Sequence, residues 1–228
     1  MRIIDAHFFI ESPLPTIEHG VSILKDLEEY GRVCYKSEGK ITPDSYKTFL
    51  TKLSKLEHNS VLEHKSVTVR IICDRGITHE IVRHRIGAYS QESTRYCNYH
   101  PDKTAGEGLK VINLRPGLDV EDKIKLSCDK DDLQKVWAEA MENAQKSYNL
   151  MLKFGASAQM ARSVLPNSTK TEIVVTYNLR QWQHFFRLRT SPKAHPQMRE
   201  IAIPILNRFR TFIPIIFDEQ WITGKKEN

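Results

Sequence analysis

The chain has 228 residues, of which 40% are hydrophobic and 27% charged, a globular balance that excludes a disordered or low-complexity protein. No stretch approaches the roughly 18 consecutive apolar residues of a membrane span, and Cys34, Cys73, Cys97 and Cys128 form no C-x-x-C pair, which predicts reduced thiols in a cytoplasmic protein, not a zinc site or disulfide frame. The net charge of +6 favours anionic partners such as nucleotides, phosphate cofactors or nucleic acid.

Residues 2–10 read as a strand, and Asp5 and His7 within that stretch argue against a signal peptide. Leu24, Leu27 and Tyr30 mark a helix ending near Gly31. Pro43 opens a second helix carrying Tyr46, Phe49, Leu50, Leu53 and Leu56. Residues 65–73 alternate, with Val67, Val69 and Ile71 on one face and Ser66, Thr68 and Arg70 on the other, which predicts a strand. Asp74-Arg75-Gly76 is expected to turn, and residues 78–85 to form a short helix. Residues 101–110, with Gly106 and Gly108, read as a flexible loop. Residues 129–152 give the clearest helix, with a stripe of Leu133, Trp137, Ala140, Ala144, Tyr148 and Met151 and a stop at Gly155. A shorter helix over 156–165, a strand over 171–178 and helices over 179–189 and 195–212 follow. Residues 220–228 are expected to be a flexible tail. The pattern predicts one α+β domain over 1–228, without a regular βαβ repeat.

The densest chemistry lies in RHRIGAYSQESTRY, Arg83 to Tyr96. Arginine forks match phosphate oxygens bidentately, and hydroxyls with turn N–H groups complete anion nests. A solvated helix end followed by a polar loop accounts for the same residues equally well. On a helical wheel Arg85 falls between Ile81 and Val82 on the core side, where a guanidinium needs a carboxylate or a bound anion. On the helix over 179–189, Arg180, His184 and Arg187 share one face, with Trp182, Phe185, Phe186 and Arg189 opposite. Arg180 and Arg189 therefore do not easily serve one ligand from one subunit. A snorkelling helix-end cation is the plain alternative for Arg189, and an N-cap the plain role for Asn178. No G-x-G-x-x-G, P-loop or zinc-deaminase signature is present.

Arg83-His84-Arg85, seven residues, then Ser93 and Arg95 reproduces the R-H-R-x7-S signature of the flavin-dependent thymidylate synthases, which the chain resembles. LEHKS, QMARSVLP, YNLRQWQHFFRLR and AHPQMREI extend the resemblance over about Leu62 to Ile205. It implies an α+β domain with a twisted, mostly antiparallel sheet flanked by helices. It also implies a homotetramer with active sites shared between subunits, and no nucleic-acid or membrane partner. The implied reaction converts dUMP to dTMP, with FAD as cofactor, NADPH as reductant and methylenetetrahydrofolate as one-carbon donor. No enzyme nucleophile would attack the uracil.

By the same resemblance FAD would be held by Ser66, Arg83, His84, Arg85, Gln91, Asn178, Leu179, Arg180 and His184. The nucleotide would be held by Glu80, Arg83, Gln91, Ser93, Thr94, Arg95, Arg162 and Arg189, with Arg189 as the catalytic residue at the uracil edge. His64 would lie near flavin and folate, and no metal is implied. Glu80, Gln91 and Thr94 depart from some members, and a carboxylate at 80 would repel phosphate unless it met the sugar or oriented an arginine. The competing reading is a non-enzymatic single-stranded RNA-binding module, with Tyr89, Tyr96 and Tyr99 as stacking platforms.

Overall fold

The computed structural model describes residues 1–12, 16–114 and 128–218. Its centre is an antiparallel sheet in the order β2 (His7–Ser12), β3 (Ser66–Asp74), β6 (Lys170–Asn178) and β4 (Ala88–Gln91). The long central pair runs in register from Ser66 opposite Asn178 to Asp74 opposite Lys170. A parallel ribbon of β1 (Arg2–Ile4) and β5 (Lys110–Ile112) lies apart from it.

Period-two alternation decides which face of the sheet is dry. Val67, Val69, Ile71 and Cys73 of β3 and Thr171, Ile173, Val175 and Tyr177 of β6 are buried on one side. On the other side the Thr68 and Thr176 hydroxyls bond at 2.8 Å, and Arg70 lies between the carboxylates of Glu11 and Glu172. The dry face is covered by helices whose apolar residues recur every three or four positions. These are α1 (Ile17–Val33), α2 (Ser45–Lys55), α3 (Arg75–Ile81), α6 (Leu179–Arg189) and α7 (Pro196–Phe212). Trp182 is fully buried against Phe186 and Phe209, and its indole N–H donates to the Val67 carbonyl at 3.0 Å. That bond ties α6 to the sheet, and Trp182→Ala would remove it and open a cavity, a loss on the order of 3–5 kcal/mol.

A second apolar cluster of Tyr99, Leu109, Val111, Met141, Tyr148 and Ala161 joins β5 to α4 (Lys130–Lys153) and α5 (Ala158–Ala161). Asp129 caps α4, and Gly155 ends it at φ +89°, as the sequence predicts.

Several expectations need correction. The strand expected over 2–10 is two strands in different sheets, parted at Asp5 and Ala6. Asp74-Arg75-Gly76 is not a turn: the Asp74 carboxylate accepts from the Ile77 N–H at 2.7 Å and starts α3 at Arg75. The helix expected over 78–85 therefore begins earlier and ends at Ile81. On α4 Met141 is buried and Ala140 exposed, the reverse of the expected stripe. The helix expected over 156–165 is only α5 followed by a 3-10 turn, Arg162–Val164. In place of one loop over 101–110 there is a 3-10 turn, Pro101–Lys103, with left-handed residues at Ala105, Gly106 and Gly108 and the start of β5 at Lys110. The tail expected over 220–228 lies outside the described residues. No helix among the described residues is long and apolar enough to cross a membrane.

Candidate active site

The last turn of α3 and the last turn of α6 meet at an arginine. Arg189 Nε donates to His84 Nε2 at 3.0 Å, Nη1 to Glu80 Oε2 at 2.6 Å and Nη2 to the Glu80 carbonyl at 3.0 Å. A guanidinium has five N–H donors; three are used, leaving one on each terminal nitrogen. The Arg189 side chain is only 19% exposed. It is thus a fixed, partly desolvated cation, not a snorkelling one, and Glu80 answers the question its charge raised by orienting an arginine.

His84 completes the arrangement. It is buried against Phe185, with ring centroids 5.0 Å apart, and lies 5.5 Å from the His184 ring. Burial, the Arg189 cation and His184 push its pKa down to about 4, so it is neutral at pH 7. Because Nε2 accepts from Arg189, the proton sits on Nδ1, which contacts the Gln181 amide at 3.3 Å. The atom placed there is Gln181 Nε2, so with this tautomer the contact becomes a hydrogen bond only with the amide oxygen and nitrogen exchanged.

Around this centre stand unpaired cations. Arg83 and Arg85 are exposed and meet no carboxylate among the described residues. The expected core-side position of Arg85 is wrong, because the chain leaves the helix at Ile81 and turns His84 inward instead. Arg95 Nε donates to Gln159 Oε1 at 2.9 Å, and Arg162 lies three residues beyond Gln159, on the same face. Arg95 and Arg162 are both exposed. Ser93 opens the turn between them and β4: its Oγ accepts from the Arg95 N–H at 3.3 Å and its carbonyl from the Cys97 N–H at 2.9 Å. Thr94, in the same turn, is buried. Gln91 donates through Nε2 to Thr78 at 3.0 Å and Thr171 at 3.3 Å, which holds its amide against α3.

Most of the remaining expected residues lie towards the start of α6, with His184 at its middle beside His84. Asn178 caps it, its Oδ1 accepting from the Gln181 N–H at 2.8 Å, and Ser66 faces Asn178 across the ladder. The Leu179 side chain is fully buried, its N–H is committed to the Lys65 carbonyl at 2.9 Å, and its carbonyl belongs to the first turn of α6, so the residue shapes this end without a free polar group. His184 Nδ1 lies 3.1 Å from the Arg187 guanidinium, and burial holds the His184 pKa below the usual histidine range. His64 is exposed, edge-on to Tyr30 at 5.4 Å. Arg180 is paired with Glu63 and borders a cavity of about 490 Å³ with Cys34, Tyr35, His58 and Ser60. Within that cavity Tyr35 and His58 stack and bond at 2.6 Å. Sequence reasoning missed these four: they come from the end of α1 and the segment after α2, and no local pattern connects them to Arg180.

One chain therefore presents two groups of residues. Arg180 and Arg189 are nine residues apart on α6, about 13–14 Å along its axis. The cavity end offers a cation, an aromatic pair and hydroxyl groups, which suits a phosphate-bearing aromatic cofactor. The Arg189 end offers oriented donors beside exposed guanidinium groups, which suits a planar ring carrying an anionic tail.

The family model described as thymidylate synthase complementing protein (Thy1) matches residues 20–215. A flavin-dependent thymidylate synthase of Geobacter sulfurreducens is 34% identical over 193 residues, covering 82% of this chain and 77% of that protein. One from Mycobacterium tuberculosis strain H37Rv is 34% identical over 215 residues, covering 86% and 79%. A solved UMP/dUMP methylase from Streptomyces cacaoi, bound with 5-Br dUMP, superposes with a TM-score of 0.74 over 95% of each chain at 22% identity, and so shares the fold. With the R-H-R signature set against a partly buried, oriented arginine and the match running from α1 to beyond α7, this chain belongs to the flavin-dependent thymidylate synthase family.

Proposed function

We propose that this protein converts dUMP to dTMP as an FAD-dependent thymidylate synthase, with methylenetetrahydrofolate as one-carbon donor and NADPH as reductant, releasing tetrahydrofolate. The observation that carries the reading is Arg189. Glu80 and His84 hold three of its N–H groups, and the two left over are available to a pyrimidine edge. A guanidinium aimed there stabilises negative charge on the ring as N3 ionises, the kind of prearranged contact whose removal costs about 100- to 1000-fold in kcat.

The remaining roles follow from placement. Arg95 and Arg162, exposed and without a carboxylate partner among the described residues, attract and neutralise the nucleotide phosphate. Ser93, Gln91 and Thr94 complete that side, and Arg83 is available to both ligands. The flavin supplies the redox chemistry when bound; the chain binds and orients it. Ser66, Arg85, His84, Asn178, Leu179, Arg180 and His184 would hold it, with His64 towards the folate. Cys34, Tyr35, His58 and Ser60 line the same end. The separation of the two ends along α6 supports sites completed by a neighbouring protomer in a homotetramer, and exposed Ile86 and Tyr96 flank the arginines. Soluble substrates of this kind suit a cytoplasmic location.

The test is the absorbance spectrum of the purified protein with and without dUMP. A yellow protein whose flavin bands shift with dUMP, and which forms dTMP only with folate and NADPH present, supports the reading. A colourless protein that binds single-stranded RNA would replace it with the binding-module alternative.

A further inference from the structure

The loop from Val82 to Gly87 carries Arg83, His84 and Arg85, yet it lies outside any regular element. A loop this polar needs something to hold it in one place. We infer that Tyr89 and Tyr177 are positioning residues: their coupled hydroxyls lock this loop and, through His84, set the orientation of Arg189. The inference rests on the nucleotide-binding role proposed above for Arg189.

The carbonyls at the end of a helix have no partner within it. Here the two tyrosines take up that role. The Tyr177 hydroxyl donates towards the Ile81 carbonyl at 3.2 Å and lies 2.7 Å from the Tyr89 hydroxyl. Tyr89 donates to the His84 carbonyl and lies 3.3 Å from that of Ile81. Two hydroxyls have two protons to give. Tyr89 spends its proton on His84, so the short contact between the rings is Tyr177 donating to Tyr89 while sharing with Ile81. The result is a directional chain from Tyr177 through Tyr89 to the main chain of His84. Burial raises both phenol pKa values, so both remain donors at any ordinary pH.

The anchor of this chain is rigid. Tyr177 is buried near the end of β6, just before α6, 4.7 Å from the Trp182 ring and 6.0 Å from Phe185. Its ring also presses on the loop at Gly87, where an added Cβ would lie 2.3 Å from two ring carbons and 3.1 Å from the Thr176 carbonyl. The loop is thus fixed by hydroxyls at one end and by contact at the other. His84 lies between those points, its imidazole packed on Phe185 and its Nε2 facing Arg189.

Tyr89→Phe and Tyr177→Phe keep the rings and remove the hydroxyls, and Gly87→Ala disturbs the contact instead. Each is prepared as the flavin-loaded full chain, and dUMP is titrated by the flavin absorbance change and by steady-state kinetics. Losing one or two net hydrogen bonds to the loop predicts a rise in dUMP KM of about two- to tenfold, with a lower kcat as well, because Arg189 is also placed in the chemical step. Gly87→Ala is expected to move KM in the same direction. Wild-type dUMP titrations and kinetics in both phenylalanine variants, with at most a lower melting temperature, would reduce the hydroxyls to ordinary burial partners and overturn the inference. If Tyr177→Phe does not fold, Tyr89→Phe, whose ring is only half-buried, decides the matter. A wild-type flavoprotein with no spectral response to dUMP and no dUMP turnover removes the nucleotide reading itself, and this inference with it.

Discussion

The two ends of α6 use the same side chain in opposite ways. At its start, the Arg180 side chain is 55% exposed and its one carboxylate partner, Glu63, is 46% exposed. At its finish, Arg189 is mostly covered and held by a carboxylate, a carbonyl and a neutral imidazole. An exposed ion pair contributes about 0–1 kcal/mol, so Arg180 can exchange Glu63 for a ligand at little cost. Arg189 cannot leave its partners without stranding a buried histidine and a half-covered carboxylate. One end of the helix is adaptable and the other is preset. The difference comes from what packs around each arginine, not from the residue.

The strongest way to break this comparison is Arg189→Ala. It should lower dTMP formation by at least about 100-fold while the protein stays yellow. Full turnover in that variant would remove the preset end from the chemistry. Arg83→Ala comes next. Loss of its charge-assisted contacts should weaken both FAD and dUMP binding by about tenfold or more, read by flavin retention on dialysis and by dUMP titration. If both affinities are unchanged, Arg83 serves neither ligand.

Glu80→Gln keeps an acceptor for Arg189 but removes the charge, so a milder effect is expected: a rise in dUMP KM of about two- to fivefold. Glu63→Ala should change FAD affinity by less than about fivefold, because it removes only an exposed partner. Equal penalties for Glu63→Ala and Glu80→Gln would abolish the distinction between the two ends.

The smallest signal lies in pH. The His84 pKa is about 4 in the folded chain against an ordinary 6.5. Between those values the unfolded chain binds a proton that the folded chain refuses, so stability falls as pH falls from 6.5 to about 4. Above 6.5 the residue contributes no pH dependence. His84→Gln should therefore flatten part of the acid limb of a melting-temperature profile. A variant whose profile runs parallel to wild type would show that His84 is not held neutral.

How much of this was legible beforehand depends on whether the cause was local. The limits of α6 were readable because Asn178 caps it and Trp182, Phe185 and Phe186 repeat on one face. Most of the site's residue types were visible in the R-H-R segment and the family signature. The inward turn of His84 was not, because α3 is ended by tyrosines from β4 and β6 that approach only once the sheet has formed. For the same reason β4 escaped notice: Ala88 to Gln91 is short, and its strand geometry follows from pairing with β6. The cavity beside Arg180 gathers Cys34, Tyr35 and His58 from stretches with no shared periodicity. The division of Arg180 and Arg189 between opposite faces was readable from the wheel; the partners that fix Arg189 were not.

The close approach at position 87 also bears on how a substitution survey of this protein should be read. Saturation there would return glycine and little else, with a profile as strict as that of a group that touches substrate. Glycine has no reactive atom, so the strictness would record crowding by a neighbouring ring. Intolerance at a position measures how little room exists there as readily as it measures participation in turnover.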